Sequence, residues 1–397
     1  MFMKVLKIIL KLIVYGFAVI GLILTAGWFA VKYNLTMTVA MVDKNNDKYQ
    51  AASLKYAAAD KYDQLATSTS GSTSTLAIDD LERQITELNN TSQQLSELKL
   101  RKLRDLCKIS VIGEAAPVNA KNILDVYKQN ASEWLFNQMV LAVSLRLENN
   151  ADWQSRLDDC DTVSIISLSE AEIIKAYAAA QGQNIFPWSN TESWSVVERA
   201  VLKDEAVIRK AAKEAGVDPR TIVSILIVEQ LRLYNTQREY FEKFFKPLSI
   251  LASANKMAWG VMAIKEITAI DVEKNLTSPN SAFYIGESYT HLLDFTSADI
   301  PKERYDRLTN NKDHYYSYLY GGLLIKQLIA QWDKSGYNIA RRPELISTLF
   351  NIGFTRSKPK ADPQVGGSII TISGVDYTFG SLSHEFYYSG LLSQFGY

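Results

Sequence analysis

The segment that most constrains this chain is an apolar stretch with a clear start and a single carboxylate at its end. Asp218 is a suitable N-cap and Pro219 suits the first helical position, so the sequence predicts a helix that begins here. Nearly every residue from Ile222 to Val228 is apolar, and most are β-branched. We therefore expect this helix to be enclosed on almost all sides, with Glu229 placed where the apolar stretch ends.

Glu229 has two interpretations at this stage. A carboxyl group at the end of an apolar helix is poorly solvated and suited to hold a proton, as a general acid must. Alternatively, Glu229 emerges onto the surface and pairs with Arg232 or Arg220.

Composition limits the function classes. The chain has 397 residues and 47% hydrophobic content, enough for two or three domains with at least one substantial core. The 43 basic and 43 acidic residues cancel, so nothing in the charge balance suggests a nucleic-acid partner. The three histidines have no metal-ligand spacing and no C-x-x-C occurs, so we expect no metal and no cofactor. Cys107 and Cys160 form either a disulfide or two buried thiols.

The N-terminal part carries a strong compositional signal. Residues 12–31 are uncharged and mainly apolar, which is long enough for a helix to cross a bilayer of ~30 Å. Lys4, Lys7 and Lys11 precede this run, and the positive-inside rule then places the rest of the chain outside. We expect a single-pass protein of the cell membrane with its C-terminal domain extracytoplasmic, on the periplasmic or cell-wall side. A cleavable signal peptide is the alternative.

Four parts follow from these patterns. Residues 1–35 are the expected transmembrane anchor, and 36–75 a stalk with a Ser/Thr-rich linker. Residues 76–190 form a helical, partly coiled-coil-like region, whose apolar stripe over 78–106 either docks on a neighbouring domain or contacts an oligomeric or envelope protein partner. Residues 191–397 form the C-terminal domain.

The predicted fold class is mainly α with a minor β element. A small β-hairpin is expected from 368–372 and 375–379, which flank Ser373 and Gly374. Residues 275–311 look like a loop insertion. Helices are predicted over 119–146, 169–180, 196–214, 315–332, 343–353 and 383–395.

Two further blocks follow the helix that ends in Glu229. The first runs from Trp259 to Ile264 and has a Gly before an apolar, helix-like run, usually a sign of close packing. The second runs from Leu349 to Gly353 at the end of a predicted helix, where Asn-x-Gly is usually a C-cap. Either block alone is weak; their order after the Glu229 helix is more specific.

In that order, the three blocks resemble the soluble lytic transglycosylase branch of the lysozyme-like superfamily, over about residues 196–353. The resemblance implies a lysozyme-like C-terminal domain in which Glu229 is the catalytic residue. It also implies that the second block lines the glycan groove and that the third faces the catalytic Glu and the sugar. The substrate-binding residues that it implies are Gln230, Trp259, Gly260, Val261, Met262, Ala263, Phe350 and Asn351.

Three positions depart from the family pattern. Gln230 stands where the family usually has Ser, Ala263 where it has Gln, and Phe350 where it has Tyr. These departures make a catalytically degenerate, peptidoglycan-binding scaffold of the cell envelope the alternative to an enzyme.

The resemblance implies cleavage of the MurNAc-GlcNAc β-1,4 bond in peptidoglycan glycan strands. A single Glu protonates the leaving oxygen and then takes the proton from the 6-hydroxyl of the muramyl residue, which closes a 1,6-anhydro ring without water. A muramidase that hydrolyses the same bond is the nearest enzymatic alternative, and it would use a second carboxylate. The nearby candidates for that role are Glu239, Glu242, Glu266 and Asp271.

Overall fold

The structure of the chain, a computed structural model, describes residues 40–57, 93–129, 132–147, 151–162, 168–235 and 258–397, with scattered positions between 11 and 25. Within these ranges the chain is mainly helical with few, short strands, which confirms the predicted mainly α class.

The helices that precede the Glu229 helix form the first part of the described chain. They are α1 (Asn46–Ala57), α2 (Gln93–Ala115), α3 (Pro117–Lys128), α4 (Glu133–Leu147), α5 (Ala151–Asp159), α6 (Glu170–Ala179), α7 (Glu192–Lys203) and α8 (Glu205–Ala215).

The remaining helices carry or surround the three blocks. They are α9 (Pro219–Asn235), α10 (Glu266–Leu276), α11 (Ile300–Leu308), α12 (Tyr315–Lys334), α13 (Pro343–Ile352) and α14 (Phe379–Tyr387). Short 3₁₀ turns occur at Pro187–Asn190, Glu287–Tyr289, Phe354–Arg356 and Ser393–Phe395.

The strands of the described residues form three antiparallel pairs. The predicted hairpin near the C terminus is confirmed, with β5 (Ile369–Ile372) paired to β6 (Val375–Thr378). A second pair joins β2 (Ala258–Trp259) to β3 (Ile264–Lys265). The third is non-local and joins β1 (Met41–Val42) to β4 (Gly366–Gly367).

Helix α9 lies at the centre of the C-terminal half. Its start is fixed as expected, because the Asp218 carboxylate accepts a hydrogen bond from the backbone N–H of Arg220 at 2.9 Å. All residues from Ile222 to Val228 are buried, so the predicted enclosure is confirmed. α9 contacts α7, α8, α12, α13 and α14, and these neighbours bury its apolar residues.

The helical region before α9 is held by a covalent link. Cys107 in α2 and Cys160, directly after α5, form a disulfide with a sequence separation of 53 residues. This settles the alternative left open by the sequence in favour of the bridge. Within the described part of the 78–106 stripe, Leu106 is buried against the rest of this chain.

Residues 40–57 pack on the C-terminal half of the chain. The Asp43 backbone N–H donates to the Val365 carbonyl at 2.8 Å, and the Asp43 carboxylate accepts from the Thr378 hydroxyl at 2.8 Å. Tyr49 in α1 is buried, with its ring 4.8 Å from that of His384. These contacts hold β1 and α1 against β4, β6 and α14.

Two predicted helices divide in the structure. The predicted 119–146 helix becomes α3 and α4, and the predicted 196–214 helix becomes α7 and α8 with a break at Asp204. At this break the Asp204 carboxylate accepts from Tyr318 Oη at 2.7 Å and lies 2.6 Å from His314 Nδ1. The break is therefore held against α12 by tertiary contacts that the local sequence periodicity does not predict.

The predicted single-pass localisation is overturned. Most of the proposed anchor over 12–31 lies outside the described residues, and no helix in the described part is long and apolar enough to span a membrane. The helices with sufficient length, α2 with 23 residues and α12 with 20, have charged and polar side chains within them.

Candidate active site

Glu229 lies two turns before the end of α9 and is 4% exposed, so it does not emerge onto the surface. Its carboxylate is nevertheless paired: Oε2 accepts from Arg232 Nε at 3.1 Å and from Arg232 Nη2. Arg220, the other candidate partner, binds carbonyls of the C-terminal segment instead. The carboxylate is therefore held by a charge-assisted contact one turn along its own helix.

The residue after Glu229 connects the first block to the second. Gln230 Nε2 donates to the Val261 carbonyl at 2.6 Å. This bond crosses from α9 to the turn between β2 and β3, and it places the turn beside the end of the helix that carries Glu229. The side chain of Gln230 therefore has a structural partner within this chain.

The second block is a turn, and the expected helical run after Gly260 is wrong. The chain reverses between β2 and β3, with the Ala263 N–H donating to the Gly260 carbonyl at 3.1 Å. Gly260 and Ala263 both have positive φ angles, +68° and 50°, which a helix does not allow. A Cβ on Gly260 would lie 2.1 Å from the Leu308 carbonyl oxygen, so a side chain there would displace α11 or the turn. Helix α10 begins only at Glu266.

Met262 anchors this turn onto α12. Its backbone N–H donates to the Ser317 hydroxyl at 3.2 Å, and its side chain is fully buried. The absence of a side chain on Gly321 makes room for it, since a Cβ there would lie 2.8 Å from Met262 Cε. Of the second-block residues, Met262 is thus a core residue, whereas Val261 and Ala263 are partly exposed.

Trp259 is only 6% exposed, although the resemblance assigns it to the substrate. Its ring packs edge-on against Tyr305, with ring centroids 5.1 Å apart. Tyr305 is 42% exposed and is therefore the more accessible ring of the pair. Sequence reasoning missed Tyr305 because α11 lies in the segment predicted as a loop, and no local signal connects it to Trp259.

The third block reaches α9 through α13, because the two helices contact each other. Phe350 is buried in α13. Asn351 follows it, and its Oδ1 accepts from the backbone N–H of Ser368 at 3.0 Å and from the Ser368 hydroxyl at 3.1 Å. The side chain of Asn351 thus holds the chain between β4 and β5, and its side-chain oxygen is engaged within the protein.

The candidates for a second carboxylate differ in their surroundings. Glu266 lies 3.9 Å from Arg304 in an ion pair. Asp271 is half-buried, and burial raises the pKa of its carboxyl group, while Lys274 lowers it. Glu239 and Glu242 lie outside the described residues.

Two cavities lie away from Glu229. One, of about 330 Å³, is lined by β1, β4 and α13, and the other, of about 310 Å³, lies beside α10. Glu229 lines neither cavity. Within the described ranges, no group of three or more His, Cys, Asp or Glu side chains is arranged to hold a metal ion.

The chain matches no protein-family model, and no curated protein or solved structure is significantly similar to it.

Proposed function

We propose that this chain is a peptidoglycan lytic transglycosylase, with residues 191–397 as a lysozyme-like domain and Glu229 as its acid and base. The observation that supports the proposal is the position of Glu229: a buried carboxylate beside the Gly260–Ala263 turn, to which Gln230 is bonded.

The chemistry requires one carboxyl group that works twice. Protonated Glu229 gives its proton to the oxygen between the muramyl and glucosaminyl residues, and that bond breaks. The 6-hydroxyl of the muramyl residue then attacks the anomeric carbon, and the Glu229 carboxylate takes the hydroxyl proton. The products are a glucosaminyl end and a 1,6-anhydro muramyl end, and Glu229 is again protonated. No water is consumed, and no second carboxylate is required.

Arg232 has a defined part in this proposal. It pairs with Glu229 in the substrate-free protein, and the pair opens when the glycan enters, so that the carboxyl group can carry a proton. Arg232 is therefore a positioning residue, because it acts on Glu229 and not on the sugar. The turn over Gly260–Ala263 contributes partly exposed Val261 and Ala263 to the glycan side.

The same ion pair favours the second candidate function, a catalytically degenerate glycan-binding protein. The Glu229 carboxylate is engaged by Arg232, and Phe350 lacks the hydroxyl that the resembling family has at this position. In this alternative the groove residues bind glycan without cleaving it.

The test compares peptidoglycan digestion by the parent chain, Glu229→Gln and a matched control. Glu344→Gln is the control, because Glu344 is also buried and paired with an arginine, Arg342 Nε, at 2.8 Å. Soluble products are identified by mass spectrometry, and thermal unfolding verifies that each variant is folded. We expect anhydro-muropeptides from the parent and Glu344→Gln, and none from Glu229→Gln.

Other outcomes contradict the proposal in distinguishable ways. Products with a free reducing end identify a muramidase. If the parent makes no product but both it and Glu229→Gln bind peptidoglycan in a pull-down, the protein is the degenerate scaffold. Release of anhydro products by Glu229→Gln would show that another residue is the acid.

A further inference from the structure

The cavity of about 330 Å³ between β1, β4 and α13 has an apolar floor. Trp332, Leu345, Leu349 and Val365 are buried residues that line it. The polar atom of Trp332 is already satisfied, because its Nε1 donates to the Ser357 hydroxyl at 3.0 Å. The floor is therefore suited to small apolar groups, and the volume is within the usual range for a small-ligand site of about 300–1,000 Å³.

The rim of this cavity is positively charged. Arg356, Lys358 and Lys360 line it and are exposed. No Asp or Glu is among the described residues that line the cavity, and these three cations make no ion pair with a carboxylate in the described part of the chain. Three neighbouring cations without a carboxylate favour an anionic group at the mouth.

The third feature is the edge of strand β1. The Asp43 N–H donates to the Val365 carbonyl, so Asp43 and Val365 are a hydrogen-bonded pair. Hydrogen-bonded and non-hydrogen-bonded pairs alternate along an antiparallel ladder. The next pair, Val42 and Gly366, is therefore a non-hydrogen-bonded pair. In agreement, the Gly366 N–H donates to the Thr348 hydroxyl at 3.0 Å instead of to β1. The backbone N–H and C=O of Val42 are consequently turned away from β4, and no other strand of the described residues pairs with this side of β1. Such an edge pairs with an extended peptide.

We propose that this cavity binds the C-terminal end of a peptidoglycan stem peptide. The free carboxylate lies among the three rim cations, the small aliphatic side chains lie on the apolar floor, and the peptide backbone pairs with the Val42 edge. The inference rests on the proposed function for the identity of the peptide. The site is separate from Glu229, but Gly367, which lines the cavity, is next to Ser368, the hydrogen-bond partner of Asn351.

The test is isothermal titration of the full chain carrying Glu229→Gln with acetyl-Lys-D-Ala-D-Ala, its C-terminal amide and octanoate as three separate probes. We expect the peptide acid to bind and the amide to bind at least about tenfold more weakly, because the amide lacks the charge that the rim cations attract. The double substitution Lys358→Ala and Lys360→Ala is expected to weaken binding of the peptide acid about tenfold, or by about 1.4 kcal/mol. Lys312→Ala, an exposed lysine outside the cavity, is the control and should leave binding unchanged.

Three results would overturn the inference: no binding of the peptide acid, equal binding of acid and amide, or tighter binding of octanoate than of the peptide, which would identify a fatty-anion site. Because titration with a free peptide needs no glycan cleavage, its result is independent of the proposed activity. Peptide binding without anhydro products means that only the proposed function has failed. Anhydro products without peptide binding mean that only this inference has failed.

Discussion

Replacement of Arg220 by Met should strongly destabilise the C-terminal half of the protein. Arg220 is the second residue of α9, and its side chain is fully buried, with 0% exposure. It makes no ion pair in the described part of the chain; instead its guanidinium lies 4.1 Å from the ring centroid of Tyr397 and donates to backbone carbonyls. Those carbonyls belong to Phe386, Tyr387, Leu391 and Leu392, at 3.3, 2.8, 3.0 and 3.0 Å.

The magnitude follows from the carbonyls that lose their donor. The Phe386 carbonyl also accepts from Ser389, and the Leu392 carbonyl also accepts from the Phe395 N–H, so both keep a donor. In the described part of the chain the Tyr387 and Leu391 carbonyls are left without one, and a buried acceptor left without its donor costs about 1–3 kcal/mol, so the two together cost about 2–6 kcal/mol. Met keeps most of the apolar volume, and loss of the desolvated charge offsets part of this cost. We therefore expect Arg220→Met to lower the free energy of unfolding by about 3–4 kcal/mol.

Urea denaturation followed by circular dichroism measures this loss. Arg199→Met is the control, because Arg199 is exposed and donates within its own helix to the Ser195 carbonyl at 3.0 Å, a contact worth about 1 kcal/mol or less. Limited proteolysis should cut Arg220→Met after α14 sooner than the parent, since the last residues lose their anchor. A loss below about 1 kcal/mol, or one no larger than in the control, would refute the reasoning.

Three further predictions concern the disulfide, the Gly260–Ala263 turn and Glu385 in α14, a buried carboxyl group that accepts from Arg146 Nε at 2.5 Å and from Trp188 Nε1 at 3.0 Å. Removing the disulfide with Cys107→Ser and Cys160→Ser, whose separation is 53 residues, should lower the free energy of unfolding by about 4 kcal/mol in urea titrations, and an unchanged midpoint would contradict this. Gly260→Ala should reduce peptidoglycan cleavage, because its Cβ would lie 2.1 Å from a carbonyl oxygen. Gly336→Ala is the control, because Gly336 also has a positive φ but a Cβ there would meet no atom within 4 Å. This control should lose only about 1 kcal/mol of stability and no activity. Burial raises the pKa of Glu385 from 4.5 to about 7. Between these two pH values the folded state holds a proton that the unfolded state has lost. The free energy of unfolding should therefore fall by up to about 3 kcal/mol as the pH rises from 4.5 to 7. In Glu385→Gln this part of the slope should be absent in denaturation curves across that range, and an identical slope in parent and variant would refute it.

The features that sequence predicted correctly depend on local signals. The cap at Asp218 and the unbroken apolar run up to Val228 are sufficient to predict a buried helix, because each signal acts within a few residues. The hairpin over 369–378 likewise follows from alternation and a Ser-Gly turn. In the candidate site, these signals also placed Glu229 at the end of the buried apolar run, although α9 itself continues to Asn235.

The features that sequence missed depend on distant contacts. The second block was expected to continue as a helix because its residues are apolar, yet Gly260 meets the Leu308 carbonyl and Met262 is bonded to Ser317, so the chain turns. One alternative paired Glu229 with Arg232 or Arg220 on the surface, and the other left it buried as an acid. The structure combines burial of Glu229 with the Arg232 pair, and this combination depends on the helices that pack around α9. Likewise, nothing near Trp259 in the sequence points to Tyr305.

The most direct test of the central claim is digestion of peptidoglycan by the parent chain in water labelled with heavy oxygen, followed by mass spectrometry of the muropeptides. If Glu229 promotes attack by the muramyl 6-hydroxyl, the products are anhydro-muropeptides that carry no label, and Glu229→Gln releases none. Label at a new reducing end would show that water is the nucleophile, and unlabelled anhydro products from Glu229→Gln would show that Glu229 is not the catalytic acid.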